Sequence, residues 1–269
     1  MVRVLVAFAF MLLAALPAPV AETISISEVM RATALDTIFD QFGPTISAAA
    51  GDQQISQNRV FLEHWKDTAQ RAYDGPAMRD ELVAALEAVL TANDREELGG
   101  FFRSELGQRI SAAEREVALL SSDAQLAVAN EGRTLMSSAA KGRLAQLDRI
   151  NTPEMARAFV RQGMRAMLVG LSVAGQRGTI VLPWPAIDAQ VEAMMPELTK
   201  TALDNQKAMM AYAYRDLSDA ELDTYIAFLT GPAASKLTQR ASEAADVIVT
   251  EATHSFGQAL AAKMSGVGV

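Results

Sequence analysis

Two histidines, His64 and His254, are the whole imidazole inventory of this 269-residue chain. His64 stands in Phe61-Leu62-Glu63-His64-Trp65 with no second histidine four residues on, so the paired-histidine helix of zinc proteases is absent. Each histidine reads as a core-edge or surface residue, because a catalytic imidazole needs a partner at defined spacing. Gly170-Leu171-Ser172-Val173-Ala174-Gly175 approaches a serine nucleophile elbow. It has one residue too many before the last glycine, and it lies on helical rather than strand-to-helix periodicity. Ser138-Ala139-Ala140-Lys141 matches Ser-x-x-Lys, but the Ser-Asp-Asn and Lys-Thr-Gly elements that go with it are missing. We reject both.

Carboxylates cluster at Asp94/Glu96/Glu97 and Asp219/Glu221/Asp223. Acids in the first turn of a helix answer the helix dipole and need no acid–base role. A di-metal bundle would want Glu-x-x-His on two helices, and neither that nor a phosphate or dinucleotide loop occurs. Methionines 164, 167, 194, 195, 209 and 210 crowd the second half. Thioethers can hold copper(I), but such sites usually recruit histidine or cysteine too; an irregular core or an adaptable groove is the better reading. No catalytic, cofactor-binding or metal-ligating residue is therefore assigned.

Composition agrees. Half the residues are apolar and 21% charged, enough to bury a core. Cysteine is absent, which excludes disulfides, thiolate chemistry and lipoprotein anchoring. Arg3 precedes an apolar run from Val4 to Leu16, followed by Pro17-Ala18-Pro19-Val20-Ala21. A basic start, a short apolar stretch and a small-residue exit are expected to form a secretory signal peptide, residues 1–21. A membrane anchor would need about 20 apolar residues. Cleavage is expected after Ala21, with Ala18 the alternative. Losing Arg3 leaves 23 basic against 32 acidic residues, a charge of −9. That acidity argues against nucleic acid or anionic lipid as partner. A periplasmic protein, not integral to the membrane once the signal is removed, is the expectation.

From Ser25 onward the apolar spacing is helical nearly throughout. It predicts helices at about 27–49 (with Pro44 as a point of bending), 56–73, 76–90, a short one capped by Thr91, and another opened by Ser104. Further helices are expected at about 122–149, 153–174, 185–215, 218–229 and 232–264. Only Gly175 to Pro185, with β-prone Thr179-Ile180-Val181-Leu182-Pro183-Trp184, breaks the pattern.

An echo recurs at an offset of 127 residues. Leu90-Thr91-Ala92-Asn93-Asp94 answers Leu217-Ser218-Asp219-Ala220-Glu221; Phe101 answers Phe228, and Arg109 answers Lys236. Each copy reads as a capped short helix, an aromatic–aliphatic pair, a break, and a new helix. The expected domains are thus a signal peptide 1–21, a helical repeat 22–150 and a second repeat 151–269. Phe101 and Phe228 are expected in the core, with Arg109 and Lys236 on solvated outer faces.

Asp219 to Leu237, with Phe228, Pro232 and Lys236, resembles the signature of domain-of-unknown-function family 2059, uncharacterised exported bacterial helical proteins. The first copy keeps Phe101, Phe102, Ser104, Gly107 and a cationic Arg109, with Glu105 where the family has proline. The resemblance implies an all-α periplasmic fold and carries no known activity. The combined expectation is an all-α multi-helix bundle of two diverged tandem repeats. Its leading function is a non-catalytic binding or protein-interaction module, taking a periplasmic protein or an apolar ligand in a groove near Trp184. A cell-envelope hydrolase with a carboxylate-based site is the alternative, and it would require two carboxylates buried together in a cleft.

Overall fold

The computed structural model describes residues 23–52, 56, 58–151, 153–174 and 183–266. The expected signal segment and Thr179–Leu182 lie outside the described residues. Twelve helices and no strand are found among those described. In chain order they are α1 (Ile26–Ala32), α2 (Leu35–Asp52), α3 (Arg59–Ala72), α4 (Gly75–Val89), α5 (Ala92–Phe102) and α6 (Glu105–Ala118). Then follow α7 (Ser122–Ser138), α8 (Lys141–Ile150), α9 (Pro153–Ala174), α10 (Trp184–Ala213), α11 (Asp219–Leu229) and α12 (Pro232–Gly266). The protein is all-α.

Local chemistry starts many of these helices. Thr91 and Ser218 each close a capping box, with Asp94 and Glu221 reaching back to the cap. Ser25 and Glu28 do the same for α1. Ser104 caps α6 through Gly107 N, and Asp74 caps α4 with Pro76 in its first turn.

Three sequence boundaries need correction. The single helix expected over 27–49 is two, broken where Ala34 takes φ 54° and Thr33 Oγ1 turns back onto Val29 O at 2.9 Å. The helix expected over 122–149 stops at Ser138, because Ala139 is extended and α8 turns off to pack on α11. Trp184 and Pro185, read as part of the β-prone connection, form the first turn of α10. Proline tolerates that place because its missing N–H would be unpaired there anyway.

The long helices of the second half lie on helices of the first. α12 packs on α3 and α4 as well as on α9, while α10 packs on α6 and α7 as well as on α9. One core gathers α1–α4, α9 and α12 around Trp65, Leu86 and Phe256; a smaller one gathers Ile110, Leu147, Tyr214 and Leu222. Phe101 and Phe228 pack against both cores and stack on each other, centroids 3.8 Å apart and 8° from parallel. They are half-buried, less than expected for core residues, although each covers one face of the other.

Around this stack the expectation for the two cations fails. Lys236 Nζ lies 2.7 Å from Asp94 Oδ2, and Arg109 Nη1 lies 2.5 Å from Glu221 Oε1. Each cation therefore grips the capping acid of the other segment. The outward face in an isolated hairpin is an interface once two hairpins meet.

These contacts set a pH dependence. Lys236 first, then the Thr91 cap, hold the Asp94 carboxyl down at about 2. The Ser218 cap first, then Arg109, hold Glu221 down at about 2. A carboxyl whose folded pKa is depressed adds stability that is complete above its ordinary value, near 4. It is lost as pH falls through the folded value. Stability is thus expected to decline between about pH 4 and pH 2. Chemical denaturation across that range should show a shallower decline for Asp94→Asn/Glu221→Gln; equal slopes would contradict the assignment.

Candidate functional site

Where the halves meet they form an open apolar cavity of about 560 Å³. Leu35, Ile38, Phe39 and Phe42 of α2 form part of its wall, and Met209, Met210 and Ala213 of α10 another. Leu237, Ala241 and Val249 of α12 contribute a third. The α1–α2 break lies at this wall too, since Thr33 and Ala34 line it. Such residues point inward because these helices carry apolar stripes at three- and four-residue spacing.

The polar feature of the cavity is Glu114. It stands on the inward stripe of α6, four residues after buried Ile110 and three before buried Val117. Tyr214, at the end of α10, donates its hydroxyl to Glu114 Oε1 at 2.5 Å. Tyr225, on α11, donates to the same oxygen at 2.6 Å. Among the described residues both hydrogen bonds to this carboxyl fall on Oε1. By area Glu114 is only half-buried although it sits deep in the molecule, which is consistent because it lines the cavity. Burial pushes its carboxyl above the ordinary range, and the two tyrosine donors only partly offset that. Burial likewise raises both tyrosines well above the phenol range, with Glu114 adding to the rise. The cluster is one carboxyl oxygen shared by two phenol donors.

A second polar point is Gln162 on α9, which is 2% exposed. Its Nε2 donates to Asp246 Oδ1 at 2.7 Å and to Thr250 Oγ1 at 2.9 Å, leaving Oε1 buried without a partner. Gln162 and Asp246 both line the cavity. No lysine, arginine or histidine lines it among the described residues.

The structure disperses the residues whose types suggested chemistry. His254 is exposed and meets the Trp184 ring edge-on at 4.0 Å. His64 is half-buried on α3. Ser172 Oγ returns to Val169 O at 2.7 Å within its own helix, and Ser138 Oγ to Leu135 O. Asp219 pairs with Arg143 and Asp223 accepts from Gln146, so these first-turn acids serve caps and pairs. Of the methionines, Met209 and Met210 line the cavity, Met195 is buried, and Met194 is exposed. Trp184 does not line this cavity. Among the described residues no group of histidine and acid side chains is arranged to hold a metal ion, and no helix is long and apolar enough to cross a membrane.

Glu114 escaped sequence reasoning because no motif frames it. Its one signal is a charge on an otherwise apolar stripe, Ile110-x-x-x-Glu114-x-x-Val117.

This arrangement defines an all-α bundle with an open apolar cavity whose wall carries the acids Glu114 and Asp246. Residues 76–141 match the family described as "Uncharacterized protein conserved in bacteria (DUF2059)". The matched stretch runs from α4 through α7 and contains the Thr91 capping box, Phe101, Arg109 and Glu114. Asp219–Leu237, where the resemblance is also read, lies outside it. No curated protein and no solved structure matches the chain.

Proposed function

We propose that the chain is an exported, non-catalytic binding protein of the cell envelope that holds a small apolar molecule between its halves. The observation that carries this reading is the cavity itself. Its volume of about 560 Å³ falls in the range of small-molecule sites, and its wall is chiefly apolar with few polar groups. The hydrolase reading has less support: Glu114 is tied to two tyrosines and Asp246 to Gln162. Export rests on residues 1–21, and periplasmic material is expected to begin at Glu22.

Binding of the neutral apolar dye Nile red tests the cavity. Ala158 on α9 and Ala213 on α10 line it from different helices, and both are half-buried. Ala158→Trp and Ala213→Trp should each weaken dye binding at least tenfold while the dichroism melt stays cooperative. Full-strength binding in both folded variants would show that the dye, and the ligand, sit elsewhere.

We infer further that residues 22–150 and 151–269 are diverged copies. The reciprocal pairs Lys236–Asp94 and Arg109–Glu221 support it, as does the Phe101–Phe228 stack. So do matching helix ends: Arg103 at φ −85°, ψ −12° and Thr230 at φ −85°, ψ −3°.

A further inference from the structure

We propose that a second site, apart from the apolar cavity, takes a small α-amino acid with an apolar side chain. Its carboxylate lies against Arg157, Lys200 and Thr199, and its ammonium group against Asp204 and Asn151. The place is an open cleft of about 640 Å³ between α9, α10 and the end of α8. Its lining shares no residue with that of the cavity.

The first observation is an interrupted ladder of ion pairs. Arg165 pairs with Asp188 and Arg161 with Glu192, each at 2.8 Å, so α9 and α10 run antiparallel. One further step of four residues on both helices sets Arg157 opposite Pro196, where no acid stands. The next residue of the α10 series is Lys200, and Arg157, Pro196 and Lys200 all line the cleft. Among the described residues neither Arg157 nor Lys200 makes an ion pair. A guanidinium fork matches a carboxylate, so a ligand carboxylate at this rung supplies the acid that the ladder lacks.

The second observation is a pair of buried polar atoms. The buried stripe Ile187, Val191, Met195 of α10 continues at four-residue spacing to Thr199, which is 6% exposed. Thr224, Thr230 and Thr253 each turn the hydroxyl back onto the carbonyl four residues earlier. The Thr199 hydroxyl does not, and is buried without a partner. Asn151, at the end of α8, donates Nδ2 to Leu203 O at 2.9 Å, which leaves Oδ1 buried without a partner. Both residues line the cleft. Unmet buried polar atoms are costly, and a ligand with one acceptor and one donor would satisfy both.

The third observation is the order of these groups. Thr199 and Lys200 precede Leu203 and Asp204 by one helical turn, about 5.4 Å along α10. Donors therefore gather at one end of the cleft, and the acceptors Asp204 and Asn151 Oδ1 at the other. The carboxylate and ammonium of an α-amino acid sit on one carbon and span so short a distance. A simple anion would bring a like charge to Asp204, and a simple amine would bring one to Arg157 and Lys200. Met195 and Leu203 offer the apolar side chain its surface.

The test is calorimetric titration of the chain from Glu22 onward with three probes: L-norleucine, hexanoate and pentylamine. The last two are norleucine without its ammonium and without its carboxylate. Norleucine should bind at least tenfold more tightly than either. Arg157→Ala/Lys200→Ala removes two exposed side chains, so the dichroism melt should be unchanged while norleucine binding falls at least tenfold. Thr199→Val keeps the shape and should weaken binding about threefold or more without lowering the melting temperature. Thr68→Val removes another buried, unpartnered hydroxyl, one that does not line the cleft, and should leave binding unchanged. Nile red in the apolar cavity should stay bound throughout. Absence of norleucine binding, equal binding of hexanoate or pentylamine, or full-strength binding in the double alanine variant overturns the proposal. So does displacement of the dye by norleucine, which would place the amino acid in the apolar cavity instead.

Discussion

Trp65→Ala is expected to lower the unfolding free energy by about 3–5 kcal/mol, the range for a large aromatic removed from a packed core. Trp65 is fully buried on α3 and joins three other helices. Its Nε1 donates to Ile46 O of α2 at 2.6 Å, and its ring meets Phe256 of α12 edge-on at 5.0 Å. Gly170 of α9 lies so close that a Cβ there would run into the six-membered ring. Truncation therefore empties the junction of α2, α3, α9 and α12 at once, and the surrounding helices can collapse into it only in part. Gly170→Ala should destabilise by about 1–3 kcal/mol through overpacking. The two changes together should cost less than their sum, because the smaller residue makes room for the added methyl. Urea denaturation followed by far-ultraviolet dichroism measures all three. A loss below about 1 kcal/mol for Trp65→Ala would contradict the burial described here.

Glu114→Leu alone is expected to cost about 2–4 kcal/mol, since it strands two buried phenol hydroxyls at about 1–3 kcal/mol each and regains part of the cost of burying the acid. The same substitution made in a Tyr214→Phe/Tyr225→Phe background should be close to neutral, because no donor is then left unpaired. The coupling links α6 of the first half to α10 and α11 of the second, so the cycle measures how strongly this cluster ties the halves together. Additive losses would mean that the three side chains do not act as a unit. Glu114→Gln, which keeps the acceptor, should fall within about 1 kcal/mol of the unaltered protein.

Helix starts and stops were legible because they depend on neighbours three or four residues away. Thr91 with Asp94, Ser218 with Glu221, and Gly231-Pro232 carry their meaning within one turn, and the structure places helix boundaries at each. Where a boundary depended on remote packing, periodicity ran through it. Nothing in Ala32-Thr33-Ala34 or Ser138-Ala139-Ala140 marks a break; the turn at Ala34 and the departure of α8 toward α11 are settled by the helices they pack on.

The sequence by itself determined the all-α class and the caps, and it set Phe101 with Phe228 and Arg109 with Lys236 as an expected correspondence. It could not say that members of each pair face one another's segments. Arg109 and Lys236 look solvated on any single amphipathic helix, and only the meeting of two capped hairpins supplies Glu221 and Asp94 as partners. The candidate site is more strongly tertiary still. Glu114, Tyr214 and Tyr225 stand up to 111 residues apart, on three helices from opposite halves. A lone glutamate on an apolar stripe signals burial without naming what will satisfy it. Hydrogen bonding, desolvation and the cavity beside the carboxyl exist only after the helices pack, because each is a property of distance in space rather than of position along the chain.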